Sequence, residues 1–186
     1  MTSRFNLSHF LLGLICLIHF SGTSASPTFI QSNLPLAKEI GSARMTYLFW
    51  DVYDATLYAP NGIWHEDQPY ALSLTYLRDL EGEAIAKRSI EEIREQGFED
   101  NEKLHQWQEL MVSLFPNVSD QSNITGIRSQ QGFTHFYHNG ELIGSIEDPL
   151  FTIHFFNIWL GEKTSEPKLR KALLGFSQKG ERHDNG

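Results

Sequence analysis

The chain has 186 residues, 20% of them charged and 12% aromatic, and carries 15 basic against 23 acidic side chains for a net charge of −8. That acidic surface argues against nucleic acid and anionic membranes as partners. One cysteine, Cys16, lies in a segment expected to be removed, so the working part has no disulfide, thiolate nucleophile or cysteine-held metal.

The first residues follow the order of a secretory leader: a short polar start with Arg4, an apolar run over residues 10–20, then small residues 21–25. The apolar run is too short to span a hydrocarbon core, which needs about 20 residues. The expectation is a signal peptide over residues 1–25, cut after Ala25, and a periplasmic protein. Ile15 before Cys16 is not the small residue a lipoprotein leader carries. An uncleaved N-terminal anchor is the alternative. Losing Arg4 leaves 14 basic against 23 acidic residues, and no later apolar run is long enough for a membrane span. One domain over residues 26–177 and a polar tail over 178–186 follow.

Residues 27–40, broken by Pro27 and Pro35, read as a leading arm or first strand. Residues 43–58 are rich in aromatic and β-branched side chains and contain neither glycine nor proline. They read as one long strand or as two joined at a bend. Period-two alternation puts Asp51 and Asp54, three apart, on opposite faces. Pro60, Asn61 and Gly62 mark a turn, and residues 70–77 a further strand.

From Arg78 to Gln96 the pattern turns helical, with Ala86, Ile90 and Ile93 on one side and Asp79 as a candidate cap. A second helix follows over residues 100–115, capped by Asp100 or Asn101, with Leu104, Trp107 and Met111 in its apolar stripe. Residues 122–129 read as a strand, and 133–138 with 141–146 as a hairpin closed by Asn139-Gly140. Asp148-Pro149 opens an apolar helix to Leu160, and a last helix covers residues 168–174. Helices and strands come in blocks, which predicts an α+β fold: an antiparallel sheet with helices on one face.

No motif for a metal, a nucleotide or a serine nucleophile occurs, so no cofactor and no metal are expected. His135 and His138, three apart on a strand, point to opposite faces. Arg78 either pairs locally or reaches a cleft between sheet and helix and holds a carboxylate, with Arg88 further along the helix. Arg44 and Tyr47 either sit at an edge and in the core or present a cation and a phenol to an acidic ligand. Trp50, Trp107, Phe155, Phe156 and Trp159 fall on elements expected to pack together, as a bulky core or as the wall of an apolar cleft.

Three stretches, LFWDVYDATLYAP, LTYLRDLEGEAIAKRSIEEIREQG and FYHNGELIGSIEDPLFTIHFFNIWLGEKTSEPKLRKALLG, together resemble the bacterial, exported branch of the chalcone isomerase-like family. The resemblance implies an open-faced β-sandwich with a ligand cleft between sheet and helices. It also implies either an intramolecular lyase that cyclises a chalcone, a fatty-acid-binding protein or a non-catalytic relative. The catalytic positions carry over poorly. Arg44 falls too close to the strand's Val-Tyr segment, Val52 stands where a threonine would, Ile143 stands at the late hydroxyl with Ser145 nearby, and the tyrosine has no match. Without those hydroxyls nothing donates to a developing enolate. The expectation is a non-catalytic binder of a small apolar or fatty-acid-like ligand, with Arg44, Tyr47, Trp50 and Arg78 as binding candidates and no catalytic set assigned. The alternatives are an isomerase and a structural partner in the cell envelope.

Overall fold

The computed structural model describes residues 26–176. The expected leader, its cut after Ala25, the end of the domain at 177 and the polar tail lie outside them. Helix α1 (Thr28–Asn33) precedes three strands, β1 (Ala37–Tyr47), β2 (Trp50–Pro60) and β3 (Tyr70–Tyr76). Helices α2 (Gly82–Glu95) and α3 (Asn101–Leu114) follow, then β4 (Asn123–Arg128), β5 (Thr134–His138) and β6 (Glu141–Ile146), and finally α4 (Pro149–Leu160) and α5 (Pro167–Leu173). The six strands pair in chain order as one antiparallel sheet.

Alternation divides the sheet's side chains. Leu57, Leu72 and Phe136 face inward, where α2–α5 cover them with Ile90, Ile93, Trp107, Met111, Phe151 and Phe156. Burying each such side chain stabilises the fold by about 1.5–3 kcal/mol before entropy is counted. Helix starts are set by short acids: Asp100 accepts from the Lys103 backbone N–H at 3.1 Å, and Asp148 Oδ1 from that of Leu150 at 2.9 Å, with Pro149 in the first turn. The predicted α+β sheet with helices on one face is present, and Asn139 and Gly140 close the β5–β6 hairpin with φ of 50° and 86°.

Four local expectations change. Residues 27–40 divide into α1 and the start of β1. Six residues without a side-chain cap are too few to hold a helix alone. Ile30 and Leu34 hold it instead, buried on the sheet's outer face against Tyr58, Ala71, Ile127 and Tyr137. The run 43–58 is two strands, joined by a tight turn at Leu48 and Phe49 rather than a bend. Asp51 and Asp54 share a face, because Met45 pairs with Tyr53 but Thr46 with Asp51, which leaves Val52 as a bulge residue that flips the parity of β2. Asp79 does not cap α2. Leu80 is tied to Val118 by backbone hydrogen bonds at 3.0 and 2.9 Å, which delays the helix to Gly82, whose N–H donates to Asn117 Oδ1.

Candidate functional site

The helix layer fills only part of the inner face. Over β5, Phe136 packs edge-on against Phe155 with ring centroids 5.2 Å apart, and Phe151 and Trp107 continue that aromatic block. Over β1–β3 the block gives way to a cavity of about 600 Å³. This lies within the range of small-molecule sites.

The floor of the cavity comes from the sheet: Met45 and Tyr47 on β1, Val52 and Tyr53 on β2, Tyr76 on β3 and Arg78 just beyond it. Helix α2 supplies one wall through Ile85, Arg88, Ser89 and Glu92, while Trp159 on α4 and Leu169 on α5 close the other side. Gly41 on β1 lets α5 come this close, since a Cβ there would lie 2.1 Å from the Ala172 carbonyl oxygen. Apolar walls with a few polar groups suit an amphiphilic guest.

The polar groups fall into two sets. At one end Arg88 pairs with Glu92, with Glu91 at 3.3 Å and with Glu95 at 3.8 Å, and Ser165 Oγ donates to Glu92 Oε2 at 2.9 Å. Partial burial works against the Arg88 charge, but these carboxylates outweigh it and raise its pKa. Arg88 is therefore already neutralised. At the other end the Arg78 guanidinium sits over the Trp50 indole, 5.4 Å from the ring centroid, and has no ion pair among the described residues. Between the two ends lie two phenols. Burial pushes Tyr53 up to about 12, against the opposing hydrogen bond from Trp159, and burial also raises Tyr76. Both stay protonated near neutrality, and Tyr53, which accepts from the Trp159 indole at 2.9 Å, keeps its own proton to donate.

Of the four candidate binding residues, Tyr47 and Arg78 line the cavity. Trp50 is at the exposed hairpin tip, outside the lining but beside Arg78 and Tyr47, and does not pack with Trp107 and Phe155 as anticipated. Arg44 is on the outer face, where its guanidinium meets Asp54 through Nε at 2.7 Å and Nη2 at 2.9 Å, and Asp51 through Nη1 at 2.9 Å. Alternation with Met45 and Tyr47 on β1 puts the arginine on that face, and the Val52 bulge brings Asp51 there beside Asp54. Trp159, anticipated as core or cleft wall, lines the cavity, whereas Tyr53, Tyr76 and Glu92 escaped the sequence reading as site residues. Nothing in their spacing marks them, since they meet only through the sheet register and the end of α4.

The positions weighed for isomerase chemistry separate in space. Val52 is on the cavity floor without a hydroxyl, and Ile143 packs against the core and is absent from the lining. Ser145 Oγ lies 2.6 Å from His135 Nδ1, with His135 lining a different concavity of about 500 Å³ beside α1. Among the described residues no cluster of three or more His, Cys, Asp or Glu side chains could hold a metal, and no helix is long and apolar enough to cross a membrane.

Comparison with known proteins places this geometry. Residues 33–175 match the chalcone isomerase-like family. An uncharacterized protein of Haemophilus influenzae is 29% identical over 137 residues, which cover 73% of this chain and 67% of that protein. The crystal structure of a fatty-acid binding protein of Arabidopsis thaliana superposes with a TM-score of 0.60 at 14% identity, over 77% of this chain and 89% of the other. At that identity the likeness shows the fold alone.

Proposed function

The chain belongs to the chalcone isomerase-like family, and from that premise we propose that it is an exported, non-catalytic carrier of a small amphiphile with an acidic head, such as a fatty acid. The observation that carries the reading is the cavity itself: apolar walls of Met45, Val52, Leu80, Ile85, Ile158 and Leu169, with Arg78 as the cation free to meet a carboxylate. The tail lies between α2 and the β1–β2 floor, and the head sits beneath Arg78 with Tyr47 beside it. That the structural neighbour is a fatty-acid binding protein supports the ligand class. The want of a hydroxyl at Val52 and the capture of Arg44 by two acids speak for a carrier over an isomerase. The leader-like first 25 residues support export, and N-terminal sequencing of protein recovered from the periplasm is expected to begin at Ser26.

Organic extraction of the purified protein, with mass spectrometry of the extract, is expected to release a long-chain acid in near-stoichiometric amount. Titration of the delipidated protein with that acid should weaken about tenfold or more in Arg78→Gln, as loss of a charge-assisted hydrogen bond dictates. Arg44→Gln should bind as the wild type does. An empty extract with no binding by titration would remove the carrier reading. Cyclisation of a 2′-hydroxychalcone lost in Tyr53→Phe would replace it with an isomerase.

A further inference from the structure

The turn between β1 and β2 exposes four consecutive apolar or aromatic side chains: Tyr47 at 65%, Leu48 at 73%, Phe49 at 95% and Trp50 at 63%. Single exposed apolar residues are ordinary, but four in sequence at a projecting turn form a patch that needs an occupant. The backbone adds a second observation. Leu48 has φ of 56°, a left-handed conformation that a two-residue hairpin turn normally gives to glycine or asparagine. A leucine there works against the turn, so its side chain rather than its backbone preference explains its presence.

We propose that this tip is a membrane-docking element that inserts Leu48 and Phe49 into the interfacial layer of a zwitterionic phospholipid bilayer. The order of residues suits that medium. Two wholly apolar side chains form the apex, and Tyr47 and Trp50, each a ring with a polar handle, flank them at the depth where such residues collect. Arg78, over the Trp50 ring and free of a carboxylate, is placed to meet a lipid phosphate. Below the tip, Asp51 and Asp54 are both engaged by Arg44, which offsets one of their two negative charges before they approach the head groups. The chain's net charge of −8 disfavours an anionic surface, which leaves the apolar apex to drive docking. A second copy is a poor occupant, because one convex tip offers no groove for another. Tyr47 also lines the cavity, so docking by the tip brings the cavity mouth to the bilayer. The proposal holds whether or not the cavity carries a fatty acid.

The test uses the chain as recovered from the cell, with variants in parallel, so that any contribution of the first 25 residues is common to all. Co-sedimentation with phosphatidylcholine vesicles measures partition. Brominated phosphatidylcholine, quenching tryptophan fluorescence, reports depth. The wild type should partition and be quenched, and Trp50→Phe should lose most of that quenching although three other tryptophans remain. Phe49→Ser should lower partition about tenfold. Leu48→Gly should lower it similarly while raising the thermal midpoint, because glycine relieves the turn, and this variant guards against loss of folding as the explanation. Absence of partition, partition equal in wild type and both tip variants, or a dimer in light scattering that Phe49→Ser dissociates would each overturn the proposal.

Discussion

The indole N–H of Trp159 donates to the Tyr53 phenol oxygen at 2.9 Å, tying the end of α4 to the middle of β2 across the wall of the cavity. Trp159 is buried and Tyr53 partly so, and removing the oxygen leaves the Trp159 donor without a protein partner. Tyr53→Phe is therefore expected to cost about 1–3 kcal/mol in chemical denaturation, more than a hydroxyl deletion on the surface.

Asp148 joins two helices, α3 and α4, in a similar way. Its Oδ1 caps α4, and its Oδ2 accepts from the buried Trp107 indole at 3.0 Å and approaches Lys103 Nζ at 3.5 Å. Burial alone would raise its pKa. The hydrogen bonds from Trp107, Leu150 and Phe151 and the Lys103 charge outweigh burial and hold it below the ordinary carboxylate value. A depressed folded pKa contributes stability that is fully present above the unfolded value, near pH 4, and lost as pH falls through the lower folded value. Asp148→Asn should flatten the acid side of the stability–pH curve below about pH 4. Asp148→Ala, which also removes the cap, should cost about 1–3 kcal/mol at neutral pH.

Gly41 is where strand and helix backbones touch. A Cβ built there meets the Ala172 carbonyl oxygen at 2.1 Å and that of Leu173 at 2.9 Å, neither of which can rotate away. Gly41→Ala must displace α5, at a cost of about 1–3 kcal/mol. Since Leu169 and Glu166 line the cavity from that side, the same variant should speed ligand release in stopped-flow displacement.

Trp64 gives the opposite expectation. Its Nε1 is buried with no hydrogen-bond partner among the described residues. Trp64→Phe removes that unpaired donor and keeps an aromatic ring near Tyr70, whose centroid is 6.0 Å away. The gain of about 1–3 kcal/mol from deleting the orphan offsets the lost area, so the variant should match or exceed the wild type in thermal midpoint.

The elements legible in the sequence are those with local instructions. Asn139-Gly140, the Asp100 and Asp148 caps and the apolar stripe of α3 each state their structure within a few residues, and all are where periodicity put them. What escaped depends on distant partners. Helix α1 exists because Ile30 and Leu34 find Tyr58 and Tyr137 across the sheet, far beyond any sequence window. The turn at Leu48 and Phe49 carries no turn residue, so the run 43–58 gave no sign of reversing. The candidate site was half legible for the same reason. Arg78 and Tyr47 follow from their positions at strand ends. Arg44 was offered with Tyr47 as a cation near the start of the strand, but the two alternate to opposite faces, and Tyr53, Tyr76 and Trp159 meet only after folding.

Arg44 holds acids seven and ten positions further along the chain, a spacing that a regular strand would scatter to opposite sides. In an aromatic run, two carboxylates three apart with an arginine upstream can thus disclose an inserted residue before any coordinates exist. In this chain the inserted residue is also a wall of the cavity, so the same misstep in alternation that fastens the hairpin stem on one side shapes the guest space on the other.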